Sequence, residues 1–400
     1  VAKHAHRLSR SDTKNVPLLL KGGFRGINKN SIMMYLLLTT NRPPYPPPKV
    51  FLFLLCLLMS ACASPGYYVQ AASGQWQLMH ARQDIGELLN STETDPTLAK
   101  QLQKATDILS FAENELGLPA GDSYQSFVET GRTAVSWNVV AAPEFSLEAK
   151  KWCFPVAGCV PYRGYFKQEK ADKFATKLRA KNLDVSVSPA TAYSTLGWFK
   201  DPLLDTMMRG SDIRLAATLF HELAHQRLYI SGDTPFNEAF AGFVEIIGTK
   251  AWLIKENRPD AIKAQANLRA ARQDFQNLLS SIRNKLSAVY QQKLSESEMR
   301  RSKTMIFEEM RSQYANLNER NWQGRDYFGA WISSDVNNAH LALLQSYKGG
   351  FCAFSNLFEQ TGSDVSEFHR QASLLAELPR EDRNKWLSQS CTGIASVDNL

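Results

Sequence analysis

The chain has 400 residues, 44% of them hydrophobic and 21% charged, which fits a globular body with a sizeable core and excludes a disordered chain. Its net charge of +7 invites a nucleic-acid reading, but residues 1–61 hold nine Lys/Arg and one acid, Asp12, leaving 37 bases against 38 acids beyond them. The body is therefore near neutral, carries no basic stripe interleaved with aromatics, and nucleic acid is excluded as a partner.

Residues 1–61 read as an N-terminal extension and signal, and 62–400 as the body. Lys49 precedes VFLFLLCLLMSA, twelve uncharged residues that are too few to span a bilayer as a helix but match a signal-peptide core. The preceding RPPYPPP favours extended polyproline, unlike a signal's leading segment, and Met33 and Met34 offer later starts. The MSAC stretch resembles a bacterial lipobox, in which cleavage leaves the cysteine, here Cys62, as a lipidated N-terminus. Ala63 then fits outer-membrane sorting. The expected address is the cell envelope, lipid-anchored and facing the periplasm, with the membrane as a partner through the N-terminal lipid. Outside the signal, Cys153, Cys159, Cys352 and Cys391 remain, an even set that predicts two disulfides in an exported protein. CFPVAGC closes a short loop with turn residues, so Cys153–Cys159 is the favoured pair, and Cys352–Cys391 follows only by elimination.

Along the body, WQLMHARQDIGELLN and TLAKQLQKATDILSFAENELG have helical spacing, with Gly117 as a stop. Residues 133–200 form a strand-rich section: β-branched and aromatic residues alternate with Pro and Gly, interrupted by the amphipathic helix KQEKADKFATKLRAKN and followed by the strand LDVSV. From 212 to 400 the chain is mainly helical. Two helices there are joined by SGDTP, and residues 258–320 read as long packed helices. The fold class is α+β, mainly helical, with the small strand-rich section first.

Within the first of the paired helices lies LFHELAHQRLYI. His221 and His225 are four apart, which places two imidazoles on one helix face about 6 Å apart along the axis, within reach of one zinc ion. Glu222 adjoins the first histidine, where it can take a proton from a water acidified toward ~7 by the metal. A third ligand is needed. The first helix is expected to end near Ile230, with Gly232 allowing the reversal, Thr234 capping and Pro235 at the first helical position, so Glu238 falls in the opening turn of the returning helix. Glu245, seven residues on, shares its face and is the rival ligand, a group that holds a histidine, or a carboxylate for a substrate's α-ammonium group. Asn237 is placed among the groups behind the ligands, and Gly242 is expected to let the two helices approach. Tyr193 and Tyr347 are candidate donors to an oxyanion, and ATAYSTLGWF is a candidate edge strand for docking a peptide. His340 and His369 stand alone and read as structural.

HELAH followed by NEAFAGFVE resembles the gluzincins, zinc peptidases with two histidines and a downstream glutamate as ligands. WCFPVAGCVPYRGYF, AYSTLGWFKDPLL, LFHELAHQRLYI and FNEAFAGFVE together resemble the predicted zinc-dependent aminopeptidase family of proteobacteria, many of them lipoproteins, over most of the chain from Cys62. The resemblance implies a zincin-like metallopeptidase, one Zn2+ held by His221, His225 and Glu238, Glu222 as catalytic base, and a peptide substrate. Two alternatives share the sequence: a zinc endopeptidase, and a non-catalytic envelope lipoprotein that binds a partner. The chain departs from thermolysin-like members in a shorter gap from His225 to Glu238 and in Gly242, where those members carry an aspartate that orients a histidine.

Overall fold

A 16-residue helix, α1 (Pro65–His80), leads the part of the chain that the computed structural model describes: residues 65–154, 158–192, 200–343 and 350–391. These all fall in one unit, Ser60–Leu400. Cys62, Tyr193 and Tyr347 lie outside the described residues. The helix expected through WQLMHARQDIGELLN is broken. After α1 the chain forms a two-residue strand, β1 (Gln83–Asp84), then α2 (Ile85–Asn90). The break arises because Asp84 accepts the Glu87 N–H at 3.0 Å and caps a new helix. Next comes α3 (Pro96–Asn114), with Asp95 as N-cap and Pro96 at its start.

The strand-rich section holds β2 (Ser126–Val128), β3 (Ser136–Pro143), β4 (Trp152–Phe154), β5 (Gly158–Val160), β6 (Arg163–Tyr165), α4 (Gln168–Arg179), β7 (Leu183–Ala190) and β8 (Leu203–Leu204). Its main sheet is antiparallel in the order β6-β3-β7, with Val139 opposite Val187 and Trp137 opposite Tyr165. Alternate residues of β3 and β7 and the apolar face of α4 share one small core containing Val139, Ala141, Ala171, Ala175 and Val185. β4 and β5 form a hairpin cross-linked by Cys153–Cys159, directly opposed in register. A second small sheet, β1-β2-β8, leaves no period-2 pattern in the sequence, because two of its strands are two residues long.

The helical region begins with α5 (Asp205–Met208), α6 (Asp212–Arg227) and α7 (Thr234–Lys255). It continues with α8 (Pro259–Tyr290), α9 (Glu296–Arg320), α10 (Gly329–Ile332) and α11 (Asn338–Ala342), and closes with α12 (Phe351–Gln360), α13 (Val365–Ala376) and α14 (Arg380–Leu387). The long hairpin α8–α9 buries its own apolar seam, including Leu279, Ile282 and Met310. The main core lies around α3, α6, α7 and α12. Leu219 and Phe220 of α6 and Phe236, Phe240 and Phe243 of α7 are fully buried there. Cys352 at the start of α12 is bonded to Cys391. His369 gives Nε2 to the Leu116 carbonyl at 2.9 Å, and His340 completes the cap of α11, so both histidines serve loops and helix ends.

The glycine that lets α6 and α7 approach is Gly248, not Gly242. A Cβ at Gly248 would lie 2.7 Å from Leu116 Cδ1 and 3.0 Å from Phe220, whereas one at Gly242 would meet nothing within 4 Å. Gly248→Ala is therefore expected to lower unfolding free energy by about 1–3 kcal/mol through overpacking. Gly242→Ala, freed of the helix penalty of glycine, is expected to be neutral or stabilising by up to about 1 kcal/mol. Urea titration of the two variants checks both signs; equal effects would remove the distinction.

Candidate metal centre

Two antiparallel helices build the centre, and each presents two faces. In α6, Ser211 caps the first turn and Leu215, Leu219, Leu223 and Ala224 point into the core. That leaves His221 and Glu222 half-buried at its edge, with His225 buried. In α7, Phe236, Phe240, Phe243 and Ile247 take the core face at spacings of three and four. Glu238, Gly242 and Glu245 therefore line up on another face. Gly242 keeps the ground between the two carboxylates open.

The reversal between the helices sets the register. α6 ends at Arg227, and Gly232 turns the chain at φ 79°. The cap of α7 is Asp233 rather than Thr234: its carboxylate accepts the Phe236 N–H at 3.5 Å and pairs with Arg383. Asn237 is buried and does not face the ligands. Its Oδ1 accepts the Ile230 N–H at 2.9 Å and its Nδ2 donates to the Ile230 carbonyl at 2.8 Å, which ties the turn one residue before Glu238.

The outcome is a cluster of three donors. His221, His225 and Glu238 each offer a ligand atom, and these atoms lie within 4.8 Å of one another. His221 Nε2 is 3.6 Å from Glu238 Oε2, and His225 Nε2 is 3.7 Å from Glu238 Oε1. Both distances are too long for hydrogen bonds. They are close to the edge of about 3.4 Å that a tetrahedron with zinc–ligand bonds of 2.0–2.1 Å would have. Two imidazoles and one carboxylate also make a donor set suited to zinc, so the residues fit such an ion.

Glu245 makes a different contact. Its Oε2 is 3.1 Å from His221 Nδ1, the ring nitrogen turned away from Glu238. It thereby fixes the tautomer and orientation of His221 and supplies the orienting carboxylate that Gly242 cannot. Among the described residues, His225 Nδ1 is buried without a partner.

The electrostatics follow from the crowding. Burial pulls the His221 imidazole down, but the carboxylates of Glu238 and Glu245, with the charge of Glu222, outweigh it and raise its pKa to about 10. Burial and then the neighbouring His221 charge lower His225 to about 4, against the pull of Glu238. Burial alone would raise Glu238; its contacts with the two histidines lower it instead. Because a ligating imidazole must be neutral, a metal ion bound here would displace a proton.

Tyr193 and Tyr347 lie outside the described residues, and among the described residues two other tyrosines stand at this cluster. The Tyr229 ring lies 6.3 Å from the His225 ring, and Tyr162, between β5 and β6, has its hydroxyl pKa raised by desolvation, by the charge of Glu238 and by Tyr229. Tyr229 is legible in the sequence, since it lies one turn beyond His225. Tyr162 carries no local signal and arrives through the fold. The edge strand expected over 190–199 is described only to Ala192, β7 ending at Ala190 on the sheet's edge. Grooves of about 500 and 610 Å³ lie elsewhere, along α8–α9 and beside α1, and neither is lined by the cluster.

Comparison with curated proteins and with solved structures finds no match. The model of one protein family, described as "Putative aminopeptidase", matches residues 66–387, a span that takes in the strand-rich section, both helices of the cluster and the C-terminal helices. The chain belongs to that family.

Proposed function

We propose that the protein is an exported zinc metallopeptidase with a zincin-like helix pair, acting as an aminopeptidase from a lipid anchor at Cys62. The observation that carries this reading is the convergence of His221, His225 and the Glu238 carboxylate on one point, with Glu222 on the same turn of α6. A zinc ion held by these three residues would supply Lewis acidity and a water acidic enough to react near neutral pH. Glu222 accepts the proton of the attacking water and returns it to the leaving amine as the peptide bond breaks. Glu245 holds His221 through Nδ1. That contact occupies the carboxylate considered for a substrate's α-ammonium group, so the exopeptidase part of the reading rests on family membership. Tyr162, whose hydroxyl keeps its proton, stands on the Glu238 side as a donor to developing negative charge.

The ligand assignment has a direct test. Glu238→Ala is expected to abolish stoichiometric zinc, while Glu245→Ala keeps it with about 10- to 100-fold weaker affinity, the usual effect of removing a histidine's supporting carboxylate. Zinc content after dialysis against graded chelator measures both, and the reverse order would reassign the third ligand.

The activity is tested with matched peptides carrying free and acetylated N-termini. Loss of single N-terminal residues from the free peptide only is the expected result, read by mass. Equal internal cleavage of both makes the protein an endopeptidase with the same metal chemistry. No cleavage by zinc-loaded protein would sink the catalytic reading and leave a binding protein.

A further inference from the structure

The outer face of α1 has no evident use in the fold or in the metal centre. Its inner face is fixed firmly. Gln70 Nε2 donates to the Gly164 carbonyl at 3.2 Å, and its Oε1 accepts the Phe166 N–H at 3.1 Å. A Cβ at Gly74 would lie 2.2 Å from the Phe166 ring, so the helix sits close against β6 and its rotation is set. The opposite stripe is Val69, Ala72, Ser73 and Trp76, spaced three and four apart, all exposed, with Val69 at 68% and Trp76 at 60%.

That stripe is chemically unlike the other exposed helix faces. α4 turns Lys170, Asp172, Lys173 and Lys177 outward, whereas α1 contains no Asp, Glu, Lys or Arg at all. Indeed no such residue occurs from Val50 to Ala81. A tryptophan with an apolar ring body and one polar N–H suits the boundary between lipid headgroups and acyl chains. No helix of the described residues is long and apolar enough to cross a membrane, so α1 would lie along a surface, not through it. Cys62 is three residues before Pro65, and three residues of chain span at most about 10 Å. If Cys62 carries lipid, α1 cannot be far from the bilayer that receives it.

We propose that α1 is an interfacial helix: its Val69/Ala72/Trp76 stripe beds into the lipid surface beside the anchor, and because its inner face is locked to β6, it sets the orientation of the whole body on the membrane. The helix contact rests on Cys62 as the lipid-bearing residue of the proposed function, and the two are separable by measurement.

The test uses the full chain as processed in a bacterial host, reconstituted into phosphatidylethanolamine/phosphatidylglycerol vesicles containing lipid brominated near the headgroup end of its acyl chains. Tryptophan quenching is compared between wild type and Trp76→Phe, and intact mass reports lipid on Cys62. The expected result is a quenched component in wild type that falls at least about fivefold in Trp76→Phe, and that also falls in Val69→Glu/Ala72→Glu, which keeps Trp76. Quenching with an unlipidated Cys62 would keep the helix contact and remove the anchor. A lipidated Cys62 with equal quenching in wild type and Trp76→Phe, or with none, would overturn the contact. Self-association in the absence of lipid that Val69→Glu/Ala72→Glu abolishes would also overturn it, by making the stripe a contact between copies of the chain.

Discussion

Glu222→Gln is expected to keep a full equivalent of zinc and to lower kcat by about 10²–10⁴-fold, the range over which a positioned acid–base group contributes. The substitution keeps size and hydrogen bonding but removes the ability to accept a proton. Glu222 is not among the three clustered donors, so metal affinity has no reason to change. If the group acts only on the reacting water and the leaving amine, KM stays within a fewfold of wild type while kcat and kcat/KM fall together. His221→Ala and His225→Ala differ in kind, since each removes a donor atom and should release the ion. Metal analysis beside steady-state peptide hydrolysis separates the two classes. A Glu222→Gln protein with near-normal turnover would remove Glu222 from the chemistry whatever the metal content.

Much of this centre is readable in the sequence because its parts are local. His221 and His225 share a face through the period of one helix, and Gly232 with Pro235 announces a reversal that returns Glu238 to them. The distinction between Glu238 and Glu245 is not local. Both sit on one face of α7, and only the crossing of α6 over α7 decides that Glu238 faces two ring nitrogens while Glu245 meets the Nδ1 of His221. Gly242 misleads for the same reason. A small residue in a helix pair signals close approach, yet the neighbours that need the space, Leu116 and Phe220, are met by Gly248.

The fold divides along the same line. α3, α4, α6, α7 and the longer strands β3 and β7 announce themselves through caps and periodicity. The break after His80 hides inside an otherwise helical pattern, since β1 exists only by pairing with β2, which lies more than forty residues downstream. Tyr162 reaches the metal face because the cross-linked β4–β5 hairpin and β6 carry it there, and no spacing in the sequence encodes that encounter.

Asp233→Ala is expected to destabilise the protein by about 3–5 kcal/mol, far beyond the effect of a surface pair. Asp233 is 1% exposed and Arg383 8%, and the guanidinium gives Nε at 2.8 Å and Nη2 at 2.6 Å to one carboxylate oxygen. The third guanidinium nitrogen of Arg383, Nη1, donates to the carbonyls of Ala376 and Leu378. Removing the carboxylate leaves a buried cation with carbonyls alone. Asp233→Ala/Arg383→Met, which removes both charges and keeps an apolar side chain over Phe236, should recover most of the loss. Urea titration of the two single variants and the double variant measures the coupling. A cost for Asp233→Ala below about 1 kcal/mol would show that water reaches the pair and that it behaves as an exposed one. The pair also joins α14 to the residue that caps α7, five positions before Glu238. Weaker zinc affinity in Asp233→Ala, not restored by the second substitution, is the expected sign that the cap positions Glu238. Unchanged zinc affinity in a destabilised protein would instead mean that Asn237, through its two hydrogen bonds to Ile230, holds the turn by itself.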